Sequence, residues 1–573
     1  MLVQRARKAV ERVMLTVRTA RYLSASQMFY YALRRGLPDA RFKPLPAPAR
    51  RRNLFKVAPL ATPASLLLRH TFRFLNQTQS LQRPDGGIDW LPTQMPRLWC
   101  YHLHYFDFLR QADVGCADKL QLVQDWVHGN PPGTKPAWEP YTCSLRIVNW
   151  VMWLDRELKA DPPQAILDSL YDQVRWLGRN VEKHILANHY FENLKALWFG
   201  TAFFHGPLTE ALRKKISDEL INQIEEQFLQ DGGHFERSPQ YNCRMLENLL
   251  DLFNLTSPST EALSVELCRH LTPRIERALH WIQTISFPDG AIPLFGDSTF
   301  EAAPCAGELT GYAMQLSLRT KLAERHSPSL IDLRQSGLFG CRSSHDMLII
   351  TCGDASPAYQ PGHAHCDLLS YELMLKGKRI IVDSGVCEYE PGERRDYVRS
   401  TRAHNTIVVD GADQSEVWDA FRMARRARTL SAHANLEDTD FGFEGAFCGF
   451  PTLPYPITHQ RNIAARWSRE RDGITSVQID DLLSGEGTSD IRSYIHLHPD
   501  ISIRDVGPGQ VDLCLDSVPV ASIRFDPEIH CKTEIHTHCP KFGVSIPNSV
   551  LVFSLRTPLP ARISVEIVAA SAE

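Results

Sequence analysis

"RQSGLFGCRSSHDMLIITCGD", residues 334–354, is where the periodicity of this chain changes. Upstream, apolar residues recur at spacings of three and four. In 164–184 they are Ile166, Leu170, Val174, Leu177 and Val181; in 209–229 they are Leu212, Ile216, Leu220, Ile224 and Phe228. Each set forms one buried stripe on an amphipathic helix. Turns such as "HGNPPGTKP" and "DGG" separate the segments. Eight or more such helices in series suggest paired helices wound into a bundle or toroid. Downstream, the apolar runs are short and β-branched: "DMLIITCGD", "LLSYELMLKGKRIIVDSG", "HNTIVVDG", "TSVQIDDLL", "VLVFSLRT" and "ISVEIVAA". Turn signals lie between them, which is the pattern of an antiparallel sandwich.

The sequence therefore predicts a multidomain α+β protein. Residues 1–55 read as a basic segment with a Pro- and Arg-rich linker (37–53), 56–335 as the helical domain, and 336–573 as the β-sandwich. A length of 573 residues is too great for one core. A cleft between two such domains is a natural ligand site.

The net charge of −3 gives no sign of a nucleic-acid partner. The charge is uneven, however. Residues 1–52 hold thirteen Lys or Arg against Glu11 and Asp39. Such a start suits peripheral contact with an anionic glycan, a membrane surface or an acidic partner. A solvated basic arm explains it equally well. The first residues break every apolar run with charge, so no signal peptide is read, and no run of 18 apolar residues marks a transmembrane helix. The 14 cysteines are scattered without a CxxC pair. The expectation is a cytoplasmic protein with reduced thiols.

Four clusters carry chemistry. In "ANHYFENLKALWFG", Asn188 and His189 open a helix, where capping is the ordinary explanation. In "GGHFERSPQYNCRMLENLLDL", Ser238 and Pro239 read as N-cap and first helical residue, putting Tyr241 and Arg244 on one face. An arginine beside a phenol would favour the phenolate. In "PGHAHCDLLSYEL", a strand beginning at 365 would turn His363 and His365 to the same side. Asp383 and His404 could join His365 in a three-ligand N/N/O site suited to zinc. In "ERRDYVRSTRAHNTIVVDG", Arg395, Tyr397 and Arg399 suit an anionic substrate.

Taken together, "NHYFENLKAL", "FERSPQYN", "PLFGDS", "GHAHCDLLSYEL", "VDSGVCEY" and "RRDYVRSTRAHNTIVVDGADQSEVW" resemble the heparinase II/III family of polysaccharide lyases. "WCYHLHYFDFL" and "WEPYTCSLRIVNWVMW" look like bacterial members found with polysaccharide biosynthesis genes, which points to exopolysaccharide or O-antigen metabolism. The resemblance runs from about 95 to 420; beyond it only the strand pattern matches. It implies an (α/α) toroid followed by an antiparallel β-sandwich. It also implies roles. Asn188 and His189 would neutralise a uronate carboxylate. Tyr241 would be the catalytic tyrosine, His363 the base or its helper, and Tyr397 a second active-site tyrosine. His365, Asp383 and His404 would hold a structural zinc ion, with Asp367 supporting. Arg237, Arg244, Arg395, Arg399 and Trp138 complete the expected contacts to an acidic polysaccharide.

The activity so implied is β-elimination. Two rivals stand beside it. A hydrolase or transferase on the same scaffold would need paired acids, for which Glu139, Glu236 and Asp297 are the candidates. A non-catalytic glycan-binding protein would use Trp99, Trp138 and the arginines.

Overall fold

The computed structural model describes residues 2–36, 42–158, 161–319, 328–438, 440–468 and 473–570. Two helices, Leu2–Ala20 and Ala25–Gly36, come first. Residues 37–41 of the expected linker lie outside the described residues. The rest is no free tether. Leu45 and Ala47 donate backbone N–H bonds to Asp172 and Asp168, and Arg51 N–H bonds the Phe203 carbonyl. The extended chain is thus strapped along the helical domain.

A small antiparallel sheet follows, Leu66–Leu68, Thr71–Phe74 and Gln77–Ser80, within a region expected to be helical. Its Phe72 and Phe74 are buried in the helical core. The helices then run from Arg97–Tyr105 to Ala306–Gln315. The expected stripes face inward: Ile166, Leu170, Val174 and Leu177 are buried along Gln164–Arg179, and Ile216, Leu220 and Ile224 along Pro207–Gln227. Helix Ala187–Phe203 packs against both Pro140–Arg156 and Pro207–Gln227. It is buried almost all round, and its buried polar residues are bonded to neighbouring segments, Lys195 to Asn248 and Asp251 and Asn193 to Ser144.

The first strand of the second domain is Ser329–Leu333, paired with Leu338–Arg342. The domain boundary therefore lies before 329 rather than at 335. These two strands continue through Met347–Thr351, Tyr371–Leu375 and Lys378–Ile381 as a five-stranded antiparallel meander. The meander explains why "MLIIT" is a continuous apolar run rather than an alternating one. Ile331, Met347, Ile349 and Met374 enter the helical core, while Phe339, Leu348, Ile350 and Leu373 enter the β core. This sheet is the layer on which the two domains meet. An eight-stranded and a four-stranded antiparallel sheet, with a two-stranded ribbon pairing Val417–Trp418 and Arg422–Met423, supply the other described strands of the β-domain.

Candidate active site

Where the helical domain meets the β-domain there is a cleft of about 1930 Å³. Its helical wall includes Tyr141, Asn188, His189, Glu236, Tyr241 and Arg244; its β-domain wall includes His363, Tyr389 and Phe421.

Asn188 is not the helix cap. Leu186 and Ala187 take left-handed backbone angles (φ 65° and 52°), and Asn188 falls within the first turn. Its backbone N–H and its Nδ2 donate to Glu236 at 3.0 and 2.8 Å, and Nδ2 lies 3.2 Å from His363 Nε2. Its Oδ1 is buried without a protein partner. Ser238 does cap its helix, Pro239–Thr256, accepting from Tyr241 N–H at 3.3 Å. The same hydroxyl donates to the Asp297 carbonyl at 2.7 Å. The cap thus places Tyr241 and also holds the turn carrying Asp297.

His363 and His365 are not on a strand. They belong to an irregular loop between Thr351 and Tyr371, so strand alternation does not orient them. Docking against "PLFGDS" does. Asp297 N–H bonds the His363 carbonyl at 2.9 Å, and Gly296 N–H bonds Asp367 at 3.0 Å. Gly296 has φ +57°, and a Cβ there would meet the His363 carbonyl oxygen at 2.8 Å, so glycine is required. Asp297, fully buried, receives His363 Nδ1 at 2.9 Å, His365 Nε2 at 2.8 Å and both terminal nitrogens of Arg395. Burial opposes its ionisation, but Arg395 and the two histidines outweigh that and hold its pKa well below the usual carboxylate range.

One proton arrangement satisfies these bonds, with His363 Nε2 also 3.5 Å from the Glu236 carboxylate. His363 Nδ1–H donates to Asp297, leaving Nε2 as an acceptor that takes Asn188 Nδ2–H. The His363 ring stacks on Tyr241 with centroids 3.7 Å apart. Tyr241 does not become a phenolate. Burial, then Tyr389, Asp297 and Glu236, raise its pKa well above 10. The expected arginine effect is spent elsewhere, because Arg244 pairs with Glu247 at 3.1 Å. His189 lies on Tyr141, centroids 4.3 Å apart, with Nδ1 3.3 Å from Glu182. Burial alone would lower its pKa, but Glu182 raises it above the ordinary 6.5.

Several expected residues do not face the cleft. Away from the cleft, Tyr397 bonds His536 at 3.0 Å; Tyr389, which packs on the same small apolar cluster, reaches the cleft and lies beside Tyr241. Arg395 is spent on Asp297. Arg399 donates to the carbonyls of Ala364, Asp419 and Arg422. Arg237 bridges the carbonyls of Asp354 and Gln335, joining helical domain to β-domain. Trp138 touches the cleft but is 3% exposed, its N–H bonded to the Asn130 carbonyl. Trp99 is fully buried. The acids of the hydrolase reading are bound to protein groups: Asp297 to Arg395 and two histidines, Glu139 to Arg97 and Tyr101, and Glu236 to Asn188, the last two at the cleft wall.

The expected metal ligands are neighbours, but Asp383 accepts from His404 Nδ1 at 2.7 Å and His365 is turned to Asp297. Among the described residues, no group of three or more His, Cys, Asp or Glu is arranged to hold a metal ion as they stand. Even so, His365 Nδ1 and His404 Nε2 are buried without protein partners, in rings whose centroids are 5.4 Å apart.

Sequence reading missed the part played by the first two helices, which cross the cleft mouth. Gln27 Nε2 donates to the carbonyls of Ile185 and Tyr359, each at 3.3 Å, one from either domain. Arg18 pairs with Glu416, and Trp418 N–H bonds Thr19. Among the described residues, no helix is long and apolar enough to cross a membrane.

The fold has counterparts. The heparinase II/III N-terminus profile matches residues 3–317, and that of the heparinase II/III-like C-terminal domain matches 325–565. The chain belongs to the heparinase II/III family. It is 26% identical over 314 residues to a heparin-sulfate lyase of Pedobacter heparinus, covering 50% of this chain and 47% of that one. It is 28% identical over 190 residues to the FtsZ-localized protein C of Caulobacter vibrioides, covering 31% and 33%. It spans about half the length of the heparin-sulfate lyases it matches. A solved structure of heparinase III superposes with a TM-score of 0.65 at 15% identity, covering 86% of this chain and 81% of that one.

Proposed function

We propose that this protein is a polysaccharide lyase that cleaves a uronate-containing acidic glycan by β-elimination, on an (α/α) toroid joined to a β-sandwich. The observation that carries the reading is the stack of Tyr241 on His363, 3.7 Å apart and drawn from two domains, with Asn188 bonded beside it. Elimination needs three things at one sugar: neutralisation of the carboxylate, removal of the neighbouring proton, and protonation of the departing oxygen. Asn188 and protonated His189 serve the first. A donor aimed at the developing anion contributes about 3–4 kcal/mol. His363 Nε2 serves the second, held in the right tautomer by Asp297; Asn188 releases it when the amide turns to the substrate carboxylate. Tyr241 serves the third, because its raised pKa keeps the proton it must give. Arg244 contributes positive charge to the wall. Tyr389 supports Tyr241, the place Tyr397 was expected to fill. Arg237, Arg395 and Arg399 act by holding the walls in position.

The same reading includes a structural zinc ion. The two unpartnered nitrogens of His365 and His404, with Asp383, are the donors that would hold it. Bound there, it would supply folding energy to the loop behind His363. Elemental analysis of the purified protein tests this: about one zinc per chain, lost in His365→Ala, is expected, and a metal-free protein rules it out.

The front-half motifs favour a glycan under construction as substrate, and the basic first helices supply peripheral attachment near it. The test is purified protein with a panel of acidic polysaccharides, followed by ultraviolet absorbance of the unsaturated uronate product. Absorbance growing with at least one uronate polymer is expected. No signal across the panel would overturn the reading.

A further inference from the structure

Helix Leu2–Ala20 turns apolar side chains outward. Val10, Val13, Met14 and Val17, spaced three and four apart, share a face and are 64, 61, 47 and 61% exposed. The helix meets the rest of the protein through other residues: Thr19 with Trp418, Arg18 with Glu416, and the half-buried Leu15. In the next helix Phe29 and Leu33, one turn apart, are 60 and 39% exposed. A helix on a protein surface ordinarily gives water its polar face. Here the apolar stripe meets water as well, alongside exposed Lys8, Glu11 and Arg12.

Charge narrows what can cover this face. Residues 1–36 contain eight Lys or Arg and a single acid, Glu11. Lys8 and Arg12, on the opposite face of the helix, and Arg21, just past its end, are all exposed. A second copy of this chain would bring eight like charges against eight. A polyanionic glycan would match the cations but leave the valines in water. An anionic lipid surface matches both, with acyl chains for the stripe and headgroups for the cations.

We propose that the first two helices dock this protein on an anionic lipid bilayer, with Val10, Val13, Met14 and Val17 inserted at the headgroup boundary. Thr16, Thr19 and Arg34 of these helices, and Tyr22 of the turn between them, line the cleft. Docking therefore brings the cleft mouth to the membrane surface, where a glycan joined to lipid is in reach. What the cleft does there rests on the lyase reading; the docking does not.

The experiment is co-sedimentation of the full-length chain with vesicles of phosphatidylcholine, with and without one-quarter phosphatidylglycerol. Binding is expected only with the anionic lipid and should weaken as salt is added. Val13→Glu with Val17→Glu should abolish it, and Lys8→Glu with Arg12→Glu should weaken it about tenfold or more. Both variants should keep the wild-type melting temperature and any activity on a soluble glycan. No sedimentation with anionic vesicles at low salt would overturn the proposal. So would binding indifferent to the Val13/Val17 change, or a dimer that this change dissociates while vesicles are ignored. Activity on soluble glycan is read separately, so failure of either idea leaves the other standing.

Discussion

The helical wall of the cleft presents Asn188, His189 and Tyr241 from the first turns of two helices, whereas the β-domain wall presents His363 from a loop without regular structure. The helical groups are placed mainly by their own helix starts. A left-handed entry, together with two bonds to Glu236, sets Asn188, and the Ser238 cap sets Tyr241. His363 is placed remotely, by Asp297 on another segment, which is itself held by Arg395 and Gly296. Changes on the helical wall should therefore alter chemistry more than stability. Changes behind the β-domain wall should alter both.

The largest expected effect is His363→Ala, which removes the proposed base and should lower turnover by ~10²–10⁴-fold. Metal content should not change, and thermal stability should fall little because the ring lies at the cleft surface. Loss of metal would mean that His363 and His365 have exchanged roles. Next is Asn188→Ala, expected to cost ~10²–10³-fold in turnover, with only the stability loss of its one side-chain bond to buried Glu236, about 1–3 kcal/mol. A large loss of stability there would erase the contrast between the two walls.

Arg395→Ala tests the other side of the comparison. It leaves the buried Asp297 carboxylate without its strongest partner, a loss of about 3–5 kcal/mol. Urea unfolding should register it, with activity falling as His363 loses its support. Wild-type stability would show that Asp297 is held by the histidines alone.

The smallest effect is on pH. The His189 pKa is raised above its ordinary 6.5 because Glu182 outweighs burial. Its charge therefore stabilises the fold, and attracts a carboxylate, fully below about 6.5; both benefits are lost as pH rises through the folded value. KM for a uronate glycan should climb in that window, and Glu182→Gln should move the climb to lower pH. A KM independent of pH would remove His189 from carboxylate binding.

The two walls also differ in how plainly they could be read. Helix caps and stripes are local, so Ser238, Pro239 and Tyr241 were legible as a helix start facing a site, and the change of period at 334–354 located the second domain to within several residues. The loop carrying His363 is oriented by "PLFGDS" more than sixty residues away. No spacing rule reaches that far, so alternation assigned it to a strand. Arg395 and Arg399 looked like substrate contacts because composition shows charge but not burial. Tyr389 was inside a quoted motif, yet nothing local distinguished it from Tyr397. The outward valines of the first helix had the right spacing, but only the structure shows that they face water.

The central claim is that Tyr241 gives its proton to the departing oxygen. Tyr241→Phe keeps the stack on His363 and removes that proton. The measurement is the rate of unsaturated-uronate formation by this variant on the best substrate of the panel, with binding followed in parallel by calorimetry. The account predicts retained binding, an unchanged melting temperature and a rate lower by ~10²–10⁴-fold. A variant that eliminates at the wild-type rate would contradict it.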